Sequence, residues 1–285
     1  MNSIDLRRWV LPLFAACLTA TAHPQNPWDT TKLGRNPAAG RYADIRGIKM
    51  YYEEYGSGEP LLFIHGNADR MSKFLYQAPF FSKKYRVILA DSRAHGNTRD
   101  DGDSLSYEMM ADDLAALLDH LGIDSCNVIG WSDGGINGLL LAIRHPKKVK
   151  KLAVTGANLQ PDPSAVDTWV YNSVKKDWDS LQRLPLTPQL RNDKKVFHLL
   201  LFEPHIRTED LGLIKCPTLV IAGDHDVIRP VHTLLIAQSI PHAYLWILPN
   251  SGHATPITYR DQFNKIVMDF LNTPYRTIEG GNRFK

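Results

Sequence analysis

A serine lies between two glycines in the segment Gly-Trp-Ser-Asp-Gly at residues 130–134. An apolar, strand-like run precedes it at residues 127–129, and residues 135–145 can form a helix. In such a strand-turn-helix context the glycines allow a tight turn that exposes the hydroxyl of Ser132 as a nucleophile. The glycine patterns that bind phosphates are absent, which argues against a phosphate loop. The segment therefore predicts covalent catalysis by Ser132.

A serine hydroxyl is a poor nucleophile, so this chemistry requires a histidine as base and a carboxylate that orients it. Gly-Asp-His-Asp at residues 223–226 follows an apolar run at 218–222, where a strand would end. Asp224 and Asp226 are both candidates for the acid. A position after a strand places either one at the same edge of a parallel sheet as Ser132.

The histidine base is predicted further along the chain, in Ser-Gly-His at residues 251–253, after the apolar run 243–247. Among the 11 histidines, His253 is distinguished by this small turn and by its place after a strand. His225 is the rival base. The order nucleophile, acid, histidine is the one expected for a nucleophilic turn of this type.

An oxyanion requires two backbone N–H donors near the nucleophile. His-Gly-Asn-Ala at residues 65–68 follows the apolar run 61–64, and the amide of Asn67 is one candidate. The amide of Asp133 is the other. We expect His65 to support its loop through hydrogen bonds, and Asp-Ser-Arg-Ala-His-Gly at residues 91–96 to form a structural turn.

The elements that must position these residues alternate between strands and helices. Residues 42–45 and 48–55 predict an antiparallel hairpin that turns at Arg46 and Gly47. Residues 107–121 have helical spacing. Short apolar runs predict parallel strands covered on both faces, at 61–64, 86–90, 127–129, 152–155, 218–222 and 243–247. The pattern predicts an α/β fold with a doubly wound, mostly parallel sheet.

A long segment without strands, residues 158–212, interrupts this alternation and predicts a helical cap. The predicted core then comprises residues 41–157 and 213–275, with a linker at 23–40. The alternative is a pair of ordinary packing helices that do not contact substrate. We expect Trp169 of this segment and Trp131 to contact substrate, whereas the positions of Tyr171 and Trp178 stay open.

The N-terminus has the pattern of a secretory signal peptide at residues 1–22: two arginines, an apolar run from Trp9 to Leu18, and small residues before a cleavage point. This predicts export to a bacterial periplasm or secretion. A first core helix and lipid attachment at Cys17 are the alternatives. The apolar run is too short to span a bilayer.

Composition places the chain among ordinary globular proteins, with 285 residues of which 44% are hydrophobic and 22% charged. The formal net charge of +3 falls to about +2 if Asp5, Arg7 and Arg8 leave with the signal peptide. A net charge this small does not indicate binding to nucleic acid. We therefore expect a small-molecule substrate, and the oligomeric state stays open.

Residues 40–273 resemble the α/β-hydrolase superfamily, and within it the branch of valacyclovirase, or biphenyl hydrolase-like protein. The likeness rests on Gly-Trp-Ser-Asp-Gly-Gly-Ile at 130–136, Arg-His-Pro at 144–146 and Gly-Ala-Asn at 156–158. It implies the α/β-hydrolase fold with a helical cap and the hydrolysis of α-amino-acid esters. Since relatives with dehalogenase activity have an aspartate where this chain has Ser132, that activity is disfavoured.

The resemblance also assigns residues. It implies Asp226 as the acid of a Ser132, Asp226 and His253 triad, with Asp224 structural. It implies that Asp133 binds the ammonium group of the substrate, although Asp133 could instead cap the following helix. In the strand order of this fold another strand separates Cys126 from Cys216, so no disulfide is expected.

The predicted reaction is ester hydrolysis through an acyl-enzyme that requires no metal or cofactor. A lactonase, thioesterase or aminopeptidase could use the same triad, because the triad leaves the leaving group open. A protein that only binds a ligand in the pocket between cap and sheet is the alternative outside enzymes.

Overall fold

A computed structural model describes residues 29–284. The predicted signal peptide and Cys17 lie outside these residues, so export stays a prediction. Among residues 29–284, no helix is both long and apolar enough to cross a membrane.

One eight-stranded sheet forms the centre of the structure, in the order β1-β2-β4-β3-β5-β6-β7-β8. Strand β2 runs opposite to the other strands of this sheet, so its pairs with β1 and β4 are antiparallel and the remaining pairs are parallel. The strands are β1 Gly40–Ile45, β2 Ile48–Tyr55, β3 Glu59–Ile64, β4 Tyr85–Ala90, β5 Cys126–Trp131, β6 Val149–Thr155, β7 Thr218–Gly223 and β8 Ala243–Leu248. The predicted hairpin and all six predicted parallel strands are confirmed.

Helices connect the parallel strands, and the last two helices follow β8. They are α1 Gln77–Phe81, α2 Tyr107–His120, α3 Asp133–Arg144, α4 Thr168–Leu181, α5 Pro188–Phe202, α6 Thr208–Leu211, α7 Pro230–Ser239, α8 Thr255–Thr258 and α9 Arg260–Asn272. Side chains that cap the N-terminus mark the start of several of these helices. The side chain of Ser106 accepts the amide of Met109 at the start of α2, and that of Thr187 accepts the amide of Leu190 at the start of α5.

The sheet is buried on both faces because alternate residues of each central strand enter different clusters. In β3, Leu62 and Ile64 join a cluster that includes residues of α2 and α3. Leu61 and Phe63 face the opposite side and join a cluster with residues of α1 and α9. Two apolar layers therefore hold the sheet, and the carboxyl ends of its strands are left to build a site.

The segment between β6 and β7 contains α4, α5 and α6. Helices α4 and α5 pack on each other through Leu181, Leu190 and Phe197. Helix α5 also places Val196 and Leu199 in the main core cluster. It thus contacts the core directly. The boundaries of 158–212 for the cap stay a prediction.

The two cysteines of the described chain are free and buried, Cys126 in β5 and Cys216 before β7. Strand β6 lies between β5 and β7, as expected. Burial raises the pKa of the Cys126 thiol to about 12 and that of Cys216 to about 11. Both thiols therefore remain protonated and unreactive near neutral pH.

Phe63 offers a test of the packing, since it is 1% exposed and contacts the rings of Phe74 and Phe81 at centroid distances of 4.9 and 5.7 Å. We predict that Phe63→Ala lowers the free energy of unfolding by about 3–5 kcal/mol, because it removes a buried ring and leaves a cavity. Urea denaturation measures this. The exposed Leu186 provides the control, and Leu186→Ala should change the value by less than about 0.5 kcal/mol. Equal effects of the two substitutions would contradict the described packing.

Candidate active site

Ser132 occupies the turn between β5 and α3 with φ 58° and ψ −123°, a conformation that is strained for a residue with a side chain. Close backbone approach maintains it. A Cβ atom on Gly130 would lie 2.1 Å from the carbonyl oxygen of Gly134, and one on Gly134 would lie 1.9 Å from the carbonyl oxygen of Ile64. The two glycines of the predicted nucleophilic turn are therefore required by contact between β3, β5 and α3.

The structure brings Ser132, His253 and Asp226 together. Nε2 of His253 lies 2.9 Å from Oγ of Ser132, and Nδ1 of His253 lies 2.6 Å from Oδ1 of Asp226. The Asp226 side chain is fully buried, and its Oδ1 also accepts the amide of Ile228 at 3.1 Å. With the Nδ1 proton directed to Asp226, the lone pair of Nε2 faces the serine hydroxyl. This arrangement suits a general base.

The pKa of His253 reflects opposing effects. Burial on its own lowers it, but the charge of Asp226, the hydrogen bond with Asp226 and the charge of Asp133 together raise it above the ordinary value of 6.5. His253 consequently becomes a neutral base only above that pH.

The loop that holds His253 is fixed by neighbours of the triad. The indole N–H of Trp131 donates to the carbonyl oxygen of His253 at 2.9 Å, and Trp131 is largely buried. Oδ1 of Asp224 accepts the amide of Ser251 at 3.0 Å. Asp224 thus supports the loop. His225 is exposed and pairs with Asp224 at 2.9 Å, so the rival base lies apart from Ser132.

The loop after β3 places its backbone against the nucleophile. A Cβ atom on Gly66 would lie 3.1 Å from Cβ of Ser132, so Asn67 follows directly at the site. The amides of Asn67 and Asp133 donate to no other backbone carbonyl within residues 29–284. The amide of Asp133 lies close to its own carboxylate, and both N–H groups remain the candidate donors to an oxyanion.

His65 and the turn at residues 91–96 support this loop. Nε2 of His65 accepts the amide of Ser92 at 2.9 Å, and burial lowers the pKa of His65 to about 4, so the ring is neutral. Asp91 accepts the amides of Met71 and Asn97 at 2.9 and 2.8 Å. These contacts agree with the structural roles predicted for both segments.

Asp133 is 3% exposed and lies beside the nucleophile. Its Oδ2 accepts the side-chain amide of Asn67 at 2.8 Å, and the hydroxyl of the buried Tyr107 also donates to its carboxylate. Burial raises the pKa of Asp133 to about 6 despite these two bonds and the nearby His253. Asp133 is therefore mostly charged near neutral pH.

Other predicted or participating residues differ in their surroundings. Trp169 begins α4 and is 70% exposed. Its contact with substrate, and that of Trp131, stay predictions. Tyr107 and Val196 border the site without having been singled out from the sequence, because Tyr107 simply opens a regular helix and Val196 contributes only a backbone carbonyl.

Within residues 29–284 no cluster of three or more His, Cys, Asp or Glu side chains could hold a metal ion.

We predict that a fluorophosphonate inactivates the protein faster as pH rises, with a midpoint above 6.5, because neutral His253 must accept the proton of Ser132. The measurement is the inactivation rate between pH 5 and 9. Ser132→Ala should remain unlabelled. A rate that is flat from pH 5 to 8 would contradict the assignment of His253 as the base.

Comparisons with known proteins agree with this geometry. The family described as alpha/beta hydrolase fold matches residues 59–193. Serine hydrolase BPHL of Mus musculus is 27% identical over 247 residues, which cover 80% of this chain and 84% of that protein. The putative carbamate hydrolase RutD of Caulobacter sp. (strain K31) is 30% identical over 223 residues, which cover 66% of this chain and 81% of that protein.

Among solved structures, the meta-cleavage product hydrolase CumD from Pseudomonas fluorescens IP01, as a mutant complexed with acetates, matches with a TM-score of 0.68. It shares 24% sequence identity, and the match covers 83% of this chain and 99% of that chain. This likeness concerns the fold. The matched family and the relative that is 30% identical and covered to 81% show that the chain belongs to the α/β-hydrolase superfamily.

Proposed function

We propose that this protein is a serine hydrolase that cleaves carboxylic esters through an acyl-enzyme and prefers esters of α-amino acids. The hydrogen-bonded series from Asp226 through His253 to Ser132 is the observation that supports hydrolysis. Serine hydrolase BPHL, among the relatives, has a name that agrees with this chemistry.

In the proposed reaction Oγ of Ser132 attacks the ester carbonyl carbon while Nε2 of His253 accepts the hydroxyl proton. The amides of Asn67 and Asp133 bind the oxyanion of the tetrahedral intermediate. The intermediate collapses as His253 donates its proton to the leaving alkoxide, which departs as an alcohol. A water then attacks the acyl-enzyme with His253 again as base, and this step releases the acid and restores Ser132.

The surroundings of Asp133 support a preference for an amine in the acyl group. The carboxylate is buried, yet its hydrogen-bond donors, Asn67 and Tyr107, are both neutral. No Lys or Arg side chain pairs with Asp133 in the described part of the chain. A buried charge without a cation is costly, and a substrate ammonium group would compensate it.

Helix capping, the alternative role of Asp133, receives little support from the contacts. Asp133 stands in the first turn of α3, and its carboxylate interacts with its own amide. The amides of Gly135 and Ile136 donate to the carbonyl oxygen of Ser132 and not to this carboxylate. The carboxylate is close enough to His253 to raise the pKa of that histidine. It therefore lies on the catalytic side of the turn, where the α-carbon of an acyl group would bind.

We predict that the free α-amino-acid ester is hydrolysed about ten- to a hundredfold faster, in kcat/KM, than its N-acetylated counterpart, the selectivity expected from one charge-assisted hydrogen bond of about 1.5–3 kcal/mol. Asp133→Asn, which preserves the size of the side chain, should remove this preference. Ser132→Ala is the blank for both substrates.

Equal rates for the two esters would overturn the amine preference and leave a serine hydrolase of other acyl specificity. Turnover of neither ester, with Ser132 still labelled by a fluorophosphonate, would redirect the search to lactones, thioesters and peptides. An unlabelled Ser132 would favour a protein that only binds its ligand.

We further predict that the ratio of the two kcat/KM values depends on pH. The ratio should fall below about pH 6, because Asp133 then binds a proton in the free enzyme. It should also fall above about pH 8, because an α-amino group with a pKa of about 7.7–8.0 loses its charge. The effect of His253 cancels in the ratio, so a ratio independent of pH between 5 and 9 would contradict the role of Asp133.

A further inference from the structure

Lys195 of α5 is a buried lysine that attaches this helix to the core. Its side chain is 6% exposed, and Nζ donates to Oδ2 of Asp100 at 2.5 Å, to the carbonyl oxygen of Asp100 at 3.0 Å and to that of Gly102 at 2.7 Å. All three donors of an ammonium group are thereby used. Lysine is rarely buried without such partners. The three hydrogen bonds together fix the position of the Lys195 ammonium group.

The loop that receives Lys195 is itself anchored to the core. Nη1 of Arg93 donates to the other carboxylate oxygen of Asp100 at 3.1 Å. Arg93 also binds both oxygens of Asp113 in α2, at 2.6 and 2.8 Å, and the side chain of Asp113 is fully buried. Two successive ion pairs therefore link α5 to a helix that packs on the sheet.

The residue after Lys195 contacts the candidate oxyanion loop. The side-chain amide of Asn67 donates to the carbonyl oxygen of Val196 at 3.0 Å and to Oδ2 of Asp133 at 2.8 Å. The Asn67 side chain is thus held between α5 and the residue beside the nucleophile. Its own backbone N–H is a candidate oxyanion donor, and Ala68 immediately after it has φ 53°.

We propose that Lys195 is a positioning residue for the oxyanion hole: by fixing α5 to the loop at Asp100, it holds the carbonyl of Val196 where it orients Asn67. This inference rests on the proposed acyl transfer. Lys195 does not touch the substrate and acts through the chain Lys195, Val196 and Asn67.

A small displacement of α5 is sufficient for an effect on the rate. Oxyanion donors act at about 2.7–3.1 Å from the charged oxygen, and the loss of one such donor lowers kcat by about 10² to 10³ in other hydrolases. Misorientation of a donor that is still present should have a smaller effect, about tenfold in kcat. KM should change little, because the oxyanion forms only in the transition state.

The test is a double-mutant cycle on ester hydrolysis with Lys195→Met and Asn67→Ala, the second of which removes the side chain but keeps the backbone N–H. We expect each single variant to lower kcat about tenfold and the double variant to be no slower than either one, because both interrupt the same chain of contacts. Lys194→Met is the matched control on the same helix, since Lys194 is partly exposed and forms no ion pair within residues 29–284. Additive effects, or an effect on KM alone, would overturn the proposal.

Amide hydrogen exchange tests the inference without any substrate. In folded Lys195→Met the amides of residues 65–70 should exchange faster than in Lys194→Met, and equal exchange would overturn the proposal even if no ester is turned over. If Lys195→Met does not fold, Asp100→Asn takes its place in both measurements. This variant keeps the backbone carbonyl acceptors of Asp100 and Gly102 and removes the carboxylate that Lys195 and Arg93 both bind.

Discussion

The backbone at Ser132 is the constraint on which the site depends. A side chain at φ 58° is tolerated there because three segments of backbone approach each other at distances that exclude any Cβ atom on Gly130 or Gly134. The amide of Ser132 is bound to the carbonyl oxygen of Thr155 in β6, so the turn is held from the side as well. The packed sheet and helix hold Ser132 in this strained backbone conformation. As a result Oγ of Ser132 projects at the carboxyl edge of the sheet, where the loops that follow β3, β7 and β8 converge.

Two buried carboxylates near Ser132 differ in their hydrogen-bond partners. Asp226 bonds to His253 and to the amide of Ile228, which suits a group that orients an imidazole. The side-chain donors to Asp133, by contrast, are neutral. The contrast follows the general rule that the environment of each carboxyl group determines its role.

The insertion between β6 and β7 forms part of the site. Helix α5 contributes a backbone carbonyl to Asn67 and a buried ammonium group to the loop at Asp100. Breaking a buried ion pair leaves an uncompensated charge, so the position of α5 is strongly determined. Helix α5 thereby connects the side chain of Asn67 with the loop at Asp100.

Much of the fold follows from local features of the sequence. Apolar runs marked all eight strands within a few residues, and the order of Ser132, the acid and His253 along the chain placed each of them after a strand at one sheet edge. The choice of Asp226 over Asp224 and of His253 over His225 depended on more than local sequence features. Asp224 and Asp226 are two positions apart, and both histidines follow strands. The resemblance favoured Asp226 and the small turn favoured His253, and the distances between the loops then showed which residues face Ser132.

The sequence by itself determined the elements, their order and the residue types of the site, because strand periodicity, helix caps and turn glycines act over a few neighbouring residues. Tertiary structure alone determined the partners of the Asp133 carboxylate, the buried position of Lys195 and the contact of Val196 with Asn67. The contacts of Asn67 with Asp133, of Lys195 with Asp100 and of Asn67 with Val196 join residues that are 66, 95 and 129 positions apart in the chain. No local pattern indicates them, since their geometry arises only when the sheet, the insertion and the loops pack together.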